Sequence, residues 1–352
     1  MDDYLSKKIK VLTFLMIIMV VFLHAYNLPV DRQVPGISSF NHFIQLFISQ
    51  GIARIAVPMF FAISGYLFFV NYTGRSDYYK KISKRFKSLF LPYVIWSLAG
   101  LLFYYFLNTS PLLKPYFNQN GFTDVTAWGY CRLVFLDPIP YQLWFVRDLF
   151  LLALISPLIF VLISRFSLAL MLSLGTCWFY DINPPQFADL NWPFLRIEAI
   201  LFFSLGATLA LKKINLGGKC TPNIMLLIVW IALVVAKVFY AGINLTVPIH
   251  KISIITGLVA VWLNYELLVF LFDRKFIFKL TAYTFFVFLF HEPFLTIVER
   301  VFEKRLHFPS IAVYLTAPLL TICTAFLIAD LLTKRLPGVY KIITGGRSRQ
   351  PK

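Results

Sequence analysis

Two histidines stand inside strongly apolar runs. His24 closes Val20-Val21-Phe22-Leu23, and His291 follows Val287-Phe288-Leu289-Phe290. A neutral imidazole is the side chain best suited to take a proton near pH 7. Cations stand in comparable runs: Arg54, Arg147, Arg196 and Lys237. Of these, Arg54 and Arg147 are the candidates to hold an oxyanion as it develops. Asp148 and Glu198 add acids able to orient a His or an Arg, and Glu292 stands next to His291. Each ionisable group would cost ~2.5–3.5 kcal/mol facing lipid at the bilayer centre, so they should face a cavity or one another. Simpler readings fit the same residues. Arg196 and Lys237 read equally as side chains snorkelling to headgroups. Asp148 beside Arg147 reads also as a structural ion pair. His42, His250 and His307 are assigned no role.

The elements that must position these groups are membrane helices. Of 352 residues, 59% are hydrophobic and only 14% are charged, with 38 Phe. A soluble chain carries about a quarter charged residues, so an ordinary globular enzyme, a disordered chain and a disulfide scaffold are excluded. A spanning helix needs about 20 mostly apolar residues. Ten candidates emerge: 9–26, 51–71, 88–108, 144–163, 167–180, 193–211, 223–241, 251–272, 280–298 and 311–332. The fold expected is therefore all-α and polytopic. A membrane-embedded domain covers 1–335, and a basic tail covers 336–352.

The net charge of +17 would suggest nucleic acid in a soluble protein. Ten spans put both termini on one side, and 22 of the 33 Lys and Arg then fall on that side. The positive-inside rule makes that side cytoplasmic, and no nucleic-acid partner is expected. His24, Arg54, Arg147, Asp148, Arg196, Glu198, Lys237, His291 and Glu292 all then lie in the outer halves of their spans, which suggests a polar site open to the outer face. Segment 38–50 reads as an interfacial helix outside. The long outer loop 109–143 reads as a lid or binding segment. Cys131, Cys177, Cys220 and Cys323 lack metal or CxxC spacing and read as free thiols, with no metal site expected.

Five stretches together resemble the acyltransferase-3 family of membrane acyltransferases. The first is the apolar run ending in His24. The most specific is Arg54-Ile-Ala-Val-Pro58-Met-Phe60-Phe61-Ala-Ile-Ser64-Gly65-Tyr66, similar to the family's R-x-x-V-P-x-F-F-x-x-S-G-Y. Arg85-Phe-Lys-Ser-Leu-Phe-Leu-Pro92-Tyr93-Val-Ile-Trp96 resembles R-x-x-x-L-x-x-P-Y-x-x-W. Tyr141-Gln-Leu-Trp144-Phe145-Val-Arg147-Asp148-Leu149 resembles L-W-F-x-x-x-L, and Phe290-His291-Glu292-Pro293 resembles the late element ending in His. The order agrees from about residue 9 to 330. One departure stands out: an Arg that the family often carries eleven residues before the first-span His is Thr13 here, ~16 Å deeper than His24.

The resemblance implies transfer of an acyl group, usually acetyl, from acyl-CoA to a sugar hydroxyl of a surface glycan or lipid-linked sugar, by a multi-pass protein of the bacterial inner membrane. On that reading His24 is the base or relays the acyl group. Arg54 and Arg147 face the oxyanion, with Asp148 or Glu198 as orienting acids and His291 as a second acid–base group or a glycan contact. Tyr141, Trp144, Glu198 and Glu292 are the sugar contacts, and an aromatic belt explains Tyr141 and Trp144 equally well. Acetyl-CoA, or another short acyl-CoA, is the donor, with Arg85 toward its phosphates. Ser64, Gly65 and Tyr66 line the path of its pantetheine arm. Close packing by small residues explains Ser64-Gly65 as readily. A transporter or flippase, and a scaffold subunit without catalysis, are the competing function classes.

Overall fold

Long apolar stretches dictate helices, because only a helix satisfies every backbone group within one segment in lipid. A computed structural model describes residues 2–28, 39–110, 126–182, 195–218, 221–240, 246–270 and 278–347, and these are helical with no strand among them. In chain order the helices are α1 (Asp3–His24), α2 (Phe40–Gln45), α3 (Ala56–Phe69), α4 (Arg75–Arg85), α5 (Leu91–Thr109), α6 (Ala127–Phe135), α7 (Trp144–Leu154) and α8 (Ser156–Phe179). They continue as α9 (Ile197–Leu211), α10 (Ile224–Phe239), α11 (Thr246–Leu263), α12 (Tyr265–Phe270), α13 (Thr284–Lys304), α14 (Ser310–Arg335) and α15 (Pro337–Ile343).

Six described helical stretches are long and apolar enough to cross a membrane: Phe40–Phe69, Arg75–Thr109, Ser156–Phe179, Thr246–Leu263, Phe278–Lys304 and Ser310–Arg335. The chain is an integral membrane protein. The other four stretches read as spans correspond to α1, which carries Lys7, Lys8 and Lys10, to the short α7, and to α9 and α10, which are apolar but shorter. Within segment 38–50, helix α2 does not stand apart from α3. It runs on through a π-helix (Leu46–Gly51) and a 3-10 turn (Ile52–Ile55) into α3. The break expected at 164–166 falls instead at Ile155, where Pro157 opens α8. Phe166 only kinks α8, with φ −135° and ψ 37°. Residues 111–125 of the expected lid lie outside the described residues, and beyond them α6 is fixed to α5 by Ser97 Oγ donating to Val134 O at 2.9 Å. Cys131, Cys177 and Cys323 are unbridged.

α1 is the central post. Leu12, Met16, Ile17 and Val21 are buried, and α1 packs on α3, α13 and α14. α3 and α9 cross at backbone contact. A Cβ on Gly65 would sit 2.0 Å from Phe203 O, and one on Gly206 would sit 1.9 Å from Ala62 O. Small residues here let two helices approach as side chains elsewhere forbid. α8 turns the other way, with Leu168 71% and Leu172 61% exposed, as an apolar helix facing lipid should.

Candidate active site

His24 is the last residue of α1, and its fixed partner comes from far along the chain. Pro140 ends the preceding loop, and a 3-10 turn, Tyr141–Leu143, leads into α7. The Tyr141 hydroxyl lies 2.5 Å from His24 Nδ1 and donates to Glu292 Oε1 at 3.2 Å. A phenol has one proton, so the His24 contact runs from Nδ1–H to the Tyr141 oxygen. That assigns His24 the Nδ1–H tautomer and leaves Nε2 as the basic nitrogen. Burial, with Glu292 beside it, pushes the Tyr141 phenol up, so it stays a proton donor at neutral pH.

Glu292 is available because Pro293 breaks α13. Glu292 has φ −107° and ψ 133°. Proline has no N–H for the carbonyl four residues back, which is Leu289 O. Gln142 Nε2 donates to that carbonyl at 3.4 Å and to Glu292 O at 3.0 Å. Thr296 Oγ1 donates to Glu292 Oε2 at 2.8 Å. The break thus turns an acid toward Tyr141 while its freed carbonyls are met. On the same helix His291 donates from Nδ1 to Phe288 O at 2.7 Å. Its Nε2 has no hydrogen-bond partner among the described residues, and its ring centre is 5.3 Å from that of His24.

The cations are held around the same space. The π-helix before α3 frees main-chain carbonyls, and Lys237 Nζ donates to one of them, Gln50 O. The Gln50 side chain accepts from Arg54 Nε at 2.9 Å and from Nη2. Lys237 also donates to His250 Nδ1 at 3.0 Å. Arg147 is spent on Asp148 Oδ1, at 3.1 and 2.9 Å, and on Leu136 O. The Arg196 guanidinium lies over the Trp144 ring, 3.9 Å from its centre.

Of the residues expected here, His24, Arg54, Tyr141, Trp144, Arg147 and Glu198 line one cavity of about 550 Å3. Asp148, His291 and Glu292 do not line it; all three are buried behind its wall. Glu292 reaches His24 through the Tyr141 hydroxyl, and Asp148 orients an arginine, Arg147. Asp148 is bound to Arg147, and Glu198 accepts from Trp178 Nε1 at 3.1 Å. His291 and Glu292 are buried next to the cavity. Trp144 carries Arg196 on one ring face, and the Tyr141 hydroxyl is committed to the relay.

A second cavity of about 470 Å3 holds Ser64 and Arg85, together with Thr13, Lys10 and Arg347. Gly65 and Tyr66 do not line it. Gly65 is the α3–α9 crossing point, and Tyr66 faces a small apolar pocket with Trp262. Phe60, Phe145 and Phe288 line both large cavities, so the two spaces meet at a wall of three rings.

Gln142, His250 and Arg347 have no site role by sequence, and Arg196 and Lys237 enter there only as members of the outer polar cluster or as snorkelling side chains. Gln142 carried a signal, since a buried amide beside a helix-breaking Pro has a carbonyl to satisfy. No group of three His, Cys, Asp or Glu suited to a metal occurs among the described residues.

A basic imidazole nitrogen, a phenol–carboxylate relay behind it and fixed cations beside it can remove a proton and stabilise an oxyanion. Comparison with known proteins bears on the reaction. A family model described as an acyltransferase domain matches residues 7–330. The chain is 27% identical over 360 residues to the succinoglycan biosynthesis protein ExoH of Rhizobium meliloti (strain 1021), covering 99% of this chain and 94% of that one. No solved structure matches.

Proposed function

The chain belongs to the acyltransferase-3 family of membrane acyltransferases, and from that premise we propose that it is an O-acetyltransferase. It takes the acyl group from cytoplasmic acetyl-CoA and delivers it to a hydroxyl of an extracytoplasmic or cell-surface glycan. The observation that carries this is the pair of cavities separated by Phe60, Phe145 and Phe288, one bearing His24 and the other bearing cations. Two substrates on opposite sides of a membrane need two such chambers and one shared wall. The resemblance to a protein named for succinoglycan biosynthesis supports a polysaccharide, free or lipid-linked, as acceptor. The bias of Lys and Arg, counted over ten spans, supports cytoplasmic termini, and the bacterial relative supports the inner membrane.

The acceptor hydroxyl gives its proton to His24 Nε2 as its oxygen attacks the thioester carbonyl. The imidazolium is stabilised through Nδ1–H, Tyr141 and Glu292. The new C–O bond forms a tetrahedral oxyanion, and Arg54, whose Nη1 is not spent on Gln50, is the cation free to meet it. The C–S bond then breaks, and the proton on His24 passes to the departing CoA sulfur. His291, buried beside His24, serves as a second acid–base group. On the donor side Arg85 attracts phosphate and Ser64 borders the pantetheine arm.

Mass spectrometry of surface glycans from cells with and without the gene tests the reading. Loss of an acetyl mass without the gene, and the same loss in His24→Ala at normal expression, is expected. An unchanged glycan acyl pattern in both would sink it.

A further inference from the structure

The C-terminal segment reads from composition as a solvated basic tail, yet it folds back onto the helix bundle. α15 packs against α5, and Trp96 Nε1 donates to Ile343 O at 3.0 Å. Gly345, at φ +65°, takes a left-handed turn that brings the chain against Ser88. A side chain there would meet both that φ and Ser88 Cα at 2.6 Å. The turn delivers Arg347. Its Nη1 donates to Ser88 O at 2.8 Å and to Thr344 O at 3.1 Å, and its guanidinium lies 3.7 Å from the Phe285 ring centre. Ser88 lies in the π-helix Phe86–Phe90 that follows Arg85, so one irregular turn serves both arginines.

Arg347 lines the inner cavity with Arg85 and Lys10, and no acid is among its described lining residues. No carboxylate pairs with any of the three among the described residues. Burial and the neighbouring Arg85 push the Arg347 guanidinium down to about 9, which still leaves it charged at pH 7. Arg85 and Arg347 are half-buried and repel one another, with the exposed Lys10 at the same cavity, and an anion joining them relieves that repulsion. Two planar guanidinium forks favour phosphate oxygens over a point charge.

We infer that Arg347, Lys10 and Arg85 form a phosphate-binding site, and that the C-terminal segment is thereby part of the acyl-donor chamber. The assignment of the phosphate to CoA rests on the acyltransferase reading above. An anionic lipid headgroup offers the same chemistry, so the test separates the two sources.

The full chain is reconstituted in phosphatidylcholine nanodiscs, and CoA binding is measured by calorimetry. Arg347→Gln should weaken CoA about tenfold or more, the usual scale for losing a charged hydrogen bond. Arg347→Lys should recover much of the loss. Lys10→Gln, which leaves the docking of the tail untouched, should weaken binding in the same direction. Arg335→Gln, on the exposed end of α14, should leave it unchanged. Equal CoA affinity in wild type, Arg347→Gln and Lys10→Gln overturns the inference and leaves the acyltransferase reading standing. If phosphatidylglycerol added to the discs displaces CoA from the wild type but not from Arg347→Gln, the site belongs to lipid and the donor assignment fails. A wild type that binds no CoA at all defeats both readings together.

Discussion

His24 Nδ1 and the Tyr141 hydroxyl meet at 2.5 Å although 117 residues separate them in the chain. The contact sets which imidazole nitrogen is free, and Glu292 at 3.2 Å from the phenol gives the forming imidazolium a negative partner at one remove. Removing the phenol oxygen leaves the ring packed but the relay cut. Tyr141→Phe should therefore lower kcat by about 10²-fold, at the lower end of what general acid–base catalysis contributes, with little change in KM for the donor. Steady-state release of CoA thiol from purified protein reads both constants. An unchanged kcat would return Tyr141 to the role of an interfacial aromatic.

The buried Arg147–Asp148 pair makes a different prediction. Arg147 is 7% exposed and Asp148 0%, and the pair is joined by two hydrogen bonds. Truncating one partner strands the other charge in a dry site. Asp148→Ala should cost about 3–5 kcal/mol, seen as a lower Tm in detergent and poor recovery from membranes. Replacing both by apolar residues of similar volume should cost much less. If Asp148→Ala melts like wild type but is inactive, Asp148 acts in the reaction and the structural account of the pair is wrong.

Much of this site is legible in the sequence, and the reason is specific. An ionisable residue in an apolar run is expensive enough that its presence implies company, which singles out His24, Arg54, Arg147 and His291. What the company consists of is not legible. Glu292 faces Tyr141 only because Pro293 breaks α13 and Gln142 meets the carbonyl that Pro293 leaves over. Gly65 is ambiguous by type, since a small residue serves a ligand path or a helix crossing equally, and only the 2.0 Å approach of a Cβ to Phe203 O decides. Arg347 was hidden because a charge in a basic tail is already explained by orientation. The span count is blurred where helices are short or charged. α7 has 11 residues, so hydropathy merges it with α8.

Gly65 and Ser64 can be separated by experiment. Gly65→Ala inserts a methyl against backbone that cannot give way, and overpacking of this kind costs about 1–3 kcal/mol. Its Tm should fall while KM for the donor holds. Ser64→Ala faces the inner cavity and should do the reverse, raising KM with Tm nearly unchanged. The two neighbours lie on different faces of α3, so a common effect of both substitutions would contradict that division.

The wall between the cavities predicts acyl selectivity. Phe60 and Phe145 have ring centres 5.6 Å apart, and Phe145 and Phe288 5.7 Å. The rings therefore form one contiguous partition with Phe145 in the middle. In the proposed reaction the thioester carbonyl must reach His24 through this partition while CoA stays on the inner side. A short acyl group passes more easily than a long one. Phe145→Leu keeps an apolar side chain, so the fold should survive, but it thins the centre of the wall. One methylene in an apolar pocket is worth about 1–3 kcal/mol, or 10–200-fold. The ratio of kcat/KM for butyryl-CoA over acetyl-CoA should therefore rise about tenfold or more in Phe145→Leu. Ile159→Val, a buried substitution away from both cavities, controls for general loosening and should leave the ratio unchanged. If the ratio moves equally in both variants, acyl length is set by overall packing, and the three rings have no special place in the path.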